Sequence, residues 1–307
     1  MSSIRVALRI RPEVEDASNE SSDVAHGNCL DVRDKTVSIR KQKRDGTSEI
    51  SHQYTFDNVF DEDATQEEVF SNVKDLVDDG LRGFNVTVFA FGMTGSGKTH
   101  TISGLETGSG QAGIVPRAVH HVFSNLRCNS EKNKENVSMV FLTFVELYNN
   151  TFYDLLASEA ISLAAEGATL SSKGRSDAFG SSSGTTGTAG GLKLQDHPGR
   201  GMTLIGSPTL RVPVTSAEDT LALIAKGYKY RATASTNLNE RSSRSHTVLS
   251  LEVLTRERLV GEGGAPEGEP VTKIGKINLV DLAGSERVKV SGATGHTLTE
   301  AKQINKA

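Results

Sequence analysis

Residues Val86 to Phe91 (VTVFAF) form an unbroken apolar run, and the next eight residues read Gly92-Met93-Thr94-Gly95-Ser96-Gly97-Lys98-Thr99. A short apolar run bounded by glycine and polar residues predicts a strand buried on both faces, as in a parallel sheet. The glycines allow a tight turn that directs backbone N–H groups inward. Helix-compatible residues follow, and a helix N-terminus adds a positive dipole. Strand, Gly-x-x-x-x-Gly-Lys-Thr loop and helix together predict a phosphate-binding loop. Residues Gly92 to Gly97 would cradle phosphate oxygens, Lys98 would reach the β- and γ-phosphates, and Thr99 would ligate Mg²⁺.

Two further motifs fit the same chemistry. Asp281-Leu-Ala-Gly284-Ser-Glu286 follows an apolar strand, Ile277 to Val280. An Asp at a strand end suits a carboxylate that holds Mg²⁺ through water. Gly284 removes a side chain where a backbone N–H could approach the γ-phosphate. The third motif is Asn239-Glu-Arg-Ser242-Ser243-Arg244-Ser245-His246. Its adjacent hydroxyls can serve phosphate and metal, and Arg244 can pair with a carboxylate, for which Glu286 is the natural candidate.

Around these motifs the chain reads as alternating strands and helices. Strands are expected at Ile4–Ile10, around Val37–Ile39, and at Tyr54–Phe60, Met139–Leu147, Thr247–Leu254 and Lys276–Val280. The last two would be joined by a hairpin connector, Gly261–Glu269. Thr65 and Glu68 have the spacing of a capping box ahead of Val69, Val73, Leu76 and Val77. A helical turn is expected at Tyr153–Leu156 and a helix at Ala217–Lys226. Such alternation predicts a layered α/β fold. Between Ser171 and Gly191, 15 of 21 residues are Ser, Gly or Thr. The entropy lost on ordering them predicts a surface insertion, at about 158–190, within one domain.

Composition narrows the class. The formal net charge is −4 and the pI near 6.1, which argues against a dedicated nucleic-acid binder. Cys29 and Cys128 lie far apart, with no metal-ligand spacing, so the expectation is a cytosolic protein with reduced thiols. There is no run of ~20 apolar residues to span a bilayer, and the N-terminus carries no signal-peptide pattern.

The three motifs, as VFAFGMTGSGKTHT, SSRSH and LVDLAGSE, resemble the kinesin motor family. Myosins share a similar trio, but the forms of these motifs are those of kinesins, and myosin motor domains are much longer. The resemblance extends through Arg9-Ile-Arg-Pro12, YTFDNVF at Tyr54–Phe60, Gly113-Ile-Val-Pro116, Val145-Glu-Leu-Tyr-Asn149 and Glu300-Ala-Lys-Gln-Ile-Asn-Lys306. It implies a P-loop NTPase of three α/β/α layers around a mixed, mostly parallel sheet. It also implies binding and hydrolysis of ATP with Mg²⁺, coupled to microtubule binding and movement, and a cytoplasmic, cytoskeletal location without nucleic-acid or membrane partners.

By the resemblance, Arg9, Pro12 and His100 lie near the adenine. Thr99 and Ser243 ligate Mg²⁺, with Asp281 bound through water. Ser242 and Gly284 sense the γ-phosphate, and Arg244 and Glu286 form the salt bridge between the two switch segments. Arg200, Arg287, Lys289, Lys302 and Lys306 fall in segments that face the acidic microtubule. Val290 departs from the family pattern, where lysine is common, and Pro198 and Gly199 alter the loop before Arg200. The family pattern continues beyond Ala307 into further helices, a last central strand and a lever element. The expectation is therefore a C-terminally incomplete motor domain, with oligomer and cargo set elsewhere. The alternative is a nucleotide- or tubulin-binding module without motility.

Overall fold

Which of these strands pair depends on contacts far apart in sequence. A computed structural model describes residues 4–12, 29–42, 48–104, 111–132, 137–157, 192–197, 201–207, 210–236, 244–260 and 266–286. The expected insertion at 158–190 lies outside them, as do Arg200, Ser242, Ser243, Arg287, Lys289, Lys302 and Lys306. The chain divides into two compact units, Met1–Val69 and Phe70–Ala307.

In the first unit, β1 (Ala7–Arg9) pairs in parallel with β5 (Asn58–Phe60). A second, antiparallel sheet runs β2 (Leu30–Arg33), β3 (Thr36–Gln42) and β4 (Ser48–Thr55). The expected strand Tyr54–Phe60 is therefore broken. Phe56 N–H donates to Lys35 O and Asp57 N–H donates to Val6 O, so the chain changes sheets between these two residues.

Helix α1 (Gln66–Ser71) begins with the predicted reciprocal cap. Thr65 N–H donates to Glu68 Oε2 at 2.8 Å, and Glu68 N–H donates to Thr65 Oγ1 at 3.2 Å. Thr65→Ala is expected to cost about 1 kcal/mol, the usual worth of such a cap, measured by denaturant unfolding.

In the second unit the elements are α2 (Lys74–Leu81), β6 (Asn85–Ala90), α3 (Lys98–Ile102), α4 (Ile114–Lys132), β7 (Val137–Tyr148) and β8 (Thr151–Asp154). They continue with β9 (Lys193–His197), β10 (Gly201–Ile205), β11 (Val212–Val214), α5 (Ala217–Thr236), β12 (His246–Val260) and β13 (Pro266–Asp281). The central sheet has the order β11-β7-β12-β13-β6, with β8 also on β7, while β9 and β10 form a separate hairpin. The sheet is mixed, as expected. Among the described strands, however, only the β6–β13 pairing within it is parallel, so it is not mostly parallel.

Alternation along these strands builds the core. Leu142, Leu251 and Ile277 stand in one register row, Phe144, Leu249 and Leu279 in the next, and all six are buried. Burying each such side chain contributes roughly 1.5–3 kcal/mol. Helix α2 packs on β6 and β13, and α5 packs on β7 and α4. Gly275 permits the α2 contact, because a Cβ there would meet the carbonyl group of Gly80.

Three expectations in this unit are corrected. β6 is not buried on both faces: Phe89 is 62% exposed and Phe91, just past its end, 77% exposed. Among the described strands β6 is the sheet's outer member, bonded on one side to β13. The expected helical turn at Tyr153–Leu156 is largely strand β8. Asn149 (φ 51°) and Asn150 (φ 60°) make a two-residue hairpin turn that folds it onto β7, with Val145 opposite Asp154. The β12–β13 ladder also continues past Leu254, from Thr247 opposite Asp281 to Val260 opposite Pro266.

Candidate functional site

Strand β6 and helix α3 place the glycine loop as its spacing predicts. Gly97 caps α3 at φ +95°, in the left-handed region where a Cβ is strained. The loop is also tied to the Asp281–Glu286 segment. Leu282 N–H donates to Ala90 O at 3.3 Å, and Ser285 N–H donates to Gly92 O at 3.1 Å. The first two motifs therefore meet in space, because β13 runs parallel to β6 with Asp281 opposite Ala90.

Thr99 Oγ1 donates to Asp281 Oδ2 at 2.6 Å. Asp281 is only 4% exposed, and its Oδ1 is buried with no hydrogen-bond partner among the described residues. Burial raises its pKa, opposed by the Thr99 hydrogen bond and by the charges of Arg231 and Lys98. An orphaned carboxylate oxygen beside a threonine hydroxyl fits a hard divalent cation. No larger cluster of His, Cys, Asp or Glu suited to a metal occurs among the described residues.

Lys98 Nζ donates to Met93 O at 2.8 Å, so the ammonium lies over its own loop. Burial lowers its pKa, and Asp281 and Glu286 oppose that shift. Met93 itself is exposed, and His100 is half-buried in α3.

Glu286 accepts from Thr94 N–H at 2.9 Å and from Thr94 Oγ1 at 2.5 Å. Burial disfavours its charge, but the two Thr94 hydrogen bonds prevail and hold its pKa below the usual carboxylate range. Thr94 thus partners Glu286 through both its N–H and its hydroxyl. Gly284 leaves the space for this contact, since a Cβ there would lie 2.3 Å from both Glu286 oxygens and from Thr94 Oγ1.

The third motif enters at its end. His246 opens β12, and Ala283 N–H donates to His246 Nδ1 at 3.0 Å. In the first unit, Arg9 donates to Gln66 Oε1 at 2.9 Å and to Ala64 O at 3.3 Å, and Pro12 is exposed. Sequence reasoning gave no role to Glu146 or Arg231, yet they form an ion pair at 3.2 Å with side chains 1% and 9% exposed. The signal was present: Glu146 interrupts the apolar strand MVFLTFVELY, and a charge buried there needs a partner.

Comparison with known proteins adds an independent line. The model of the Kinesin motor domain family matches residues 9–307. Kinesin-like protein 3 of Schizosaccharomyces pombe is 34% identical over 309 residues, covering 100% of this chain and 46% of the relative. Kinesin-like protein KIN-14C of Arabidopsis thaliana is 33% identical, covering 99% of this chain and 34% of the relative. The chain thus spans less than half the length of these curated relatives. A solved structure of a fast kinesin superposes with a TM-score of 0.70 at 30% identity, covering 99% of this chain and 72% of that one.

Proposed function

The chain belongs to the kinesin motor-domain family, and from that premise we propose that it binds and hydrolyses ATP with Mg²⁺ and couples this to microtubule binding and movement. The observation that carries the nucleotide half is the buried Asp281 Oδ1, without a partner among the described residues, beside Thr99, one residue from Lys98. The residue chemistry suits a phosphate-bound cation there.

Residues Gly92 to Gly97 supply the backbone cradle. Lys98 exchanges its contact with Met93 O for phosphate oxygens. Thr99 and Ser243 would ligate Mg²⁺, with Asp281 bound through water, and the ion when bound would neutralise phosphate charge. Glu286 is kept ionised by Thr94 beside the loop, where a carboxylate can orient water and accept its proton. Ser242 and Gly284 sense the γ-phosphate, and Arg244 competes with Thr94 for Glu286 when the two switch segments close. Catalysis is then mainly positioning and charge stabilisation.

The microtubule half rests on family membership. Arg200, Arg287, Lys289, Lys302 and Lys306 supply positive charge toward an acidic filament, and such contacts weaken with salt. In this reading the two units act together as one motor domain.

ATP turnover of this chain, measured with and without microtubules, tests the proposal. Stimulation by microtubules is expected. Glu286→Ala should retain nucleotide binding and lose turnover by roughly 10²-fold or more, the usual worth of a proton-accepting group. Absence of turnover in the unaltered chain, with or without the filament, would refute the enzymatic reading.

A further inference from the structure

The Glu146–Arg231 pair lies outside the phosphate loop, yet it is bonded to the third motif. Arg231 on α5 donates through Nε to Glu146 Oε1 at 3.2 Å. Its Nη2 donates to Ser245 Oγ at 3.0 Å and to Ser245 O at 3.5 Å. Glu146, Arg231 and Ser245 are all buried. The planar guanidinium thus joins three elements: α5, the far end of β7 and the residue that leads into β12.

The next residue carries the connection onward. His246 Nδ1 accepts from Ala283 N–H at 3.0 Å, so Nδ1 is the unprotonated ring nitrogen. Ala283 lies between Asp281 and Gly284, and Ser285 and Leu282 beside it are bonded to the phosphate-loop strand and turn. The sheet register repeats the link, with Thr247 between Glu146 on β7 and Asp281 on β13.

We infer that Arg231 is a positioning residue for the hydrolysis proposed above, holding the Asp281–Glu286 segment in place through Ser245 and His246. This rests on that proposed reaction only for its kinetic consequence; the mechanical link is separately measurable. Arginine suits the role because its rigid fork bonds two partners at once. A lysine ammonium would neutralise Glu146 but would not span to Ser245 in the same geometry.

The test uses the 307-residue chain with Arg231→Lys, Ser245→Ala and the double substitution. Amide hydrogen exchange at Ala283 is the first readout, and ATP turnover the second. Each single substitution is expected to speed Ala283 exchange at least ~10-fold, and the double no more than the faster single, because both break one shared route. Turnover should fall about fivefold or more, with KM for ATP within about twofold. Ser245→Ala keeps the ion pair, so it reports on the link even if Arg231→Lys fails to fold. Unchanged Ala283 exchange in Ser245→Ala would overturn the inference, whatever the melting temperature. Altered exchange in a chain without ATP turnover would leave the link standing and refute the proposed reaction instead. A drop in turnover without an exchange response would refute the route through His246.

Discussion

Lys98→Ala is expected to abolish nucleotide-dependent behaviour while leaving the fold intact. The ammonium is partly buried, feels the charges of Asp281 and Glu286, and donates to Met93 O. Toward phosphate it would make charge-assisted bonds worth roughly 3 kcal/mol, and losing them weakens binding by about 100-fold. Turnover should fall further, because charge builds on the transferred group. Stability should respond in the opposite sense or not at all. Burial lowers the folded pKa of Lys98, so its charged form is less favourable in the folded chain than in the unfolded one. Removing it removes that cost near neutral pH. Titration with a fluorescent ATP analogue, together with a thermal melt, checks both arms. Wild-type affinity in Lys98→Ala would refute the phosphate-loop assignment.

Asp281→Asn is expected to separate function from stability. Substitution keeps an acceptor for Thr99 Oγ1 but removes the charge from a buried position whose second oxygen has no partner among the described residues. Mg²⁺-dependent nucleotide binding should be lost. Without Mg²⁺ the variant should melt higher, by a few degrees for about 1 kcal/mol regained.

The pH dependence of this gain has a definite sign. The folded pKa of Asp281 is raised above the ordinary value of 3.8, chiefly by burial. The folded chain therefore holds this proton to higher pH than the unfolded chain does. The contribution of Asp281 to stability is greatest below 3.8, declines as pH rises through the raised value, and stays reduced above it. The advantage of Asp281→Asn should accordingly grow between those two pH values and persist at neutral pH. Thermal melts across pH, with and without Mg²⁺, measure it. A variant that melts lower at neutral pH without Mg²⁺ would contradict the burial argument.

The features legible in sequence are those whose physics is local. Thr65 and Glu68 stand three residues apart, so a helix start brings them together whatever else the chain does. Gly92 to Thr99 encodes its own turn, since Gly97 alone can take φ +95° cheaply where α3 begins. The short runs Met139–Leu147, Thr247–Leu254 and Lys276–Val280 likewise announced strands in β7, β12 and β13, because their residue types suit a pleated, largely buried sheet. The misreadings fall where a partner decides. VTVFAF has the composition of a doubly buried strand, but β6 alternates exposed and half-buried residues and leaves Phe89 on its exposed face. Tyr153–Leu156 carries helix-compatible residues, but Asn149 and Asn150 turn the chain back, and pairing with β7 outweighs that weak propensity.

The site divides along the same line. Sequence alone determined which residues are the candidates for the proposed chemistry: a glycine loop ending in Lys98-Thr99, an Asp at a strand end and a Glu five residues beyond it. Their identities and short spacings require no other part of the chain. Only tertiary structure decided their relations. Thr94 and Glu286 are 192 residues apart and Arg231 and Glu146 are 85 apart, yet each pair is within hydrogen-bonding distance. Parallel pairing of β6 with β13 produces the first contact, and packing of α5 on β7 produces the second. The physical reason is that a side chain's reach is a few ångströms, so which distant residues meet is set by the register and packing of the whole sheet.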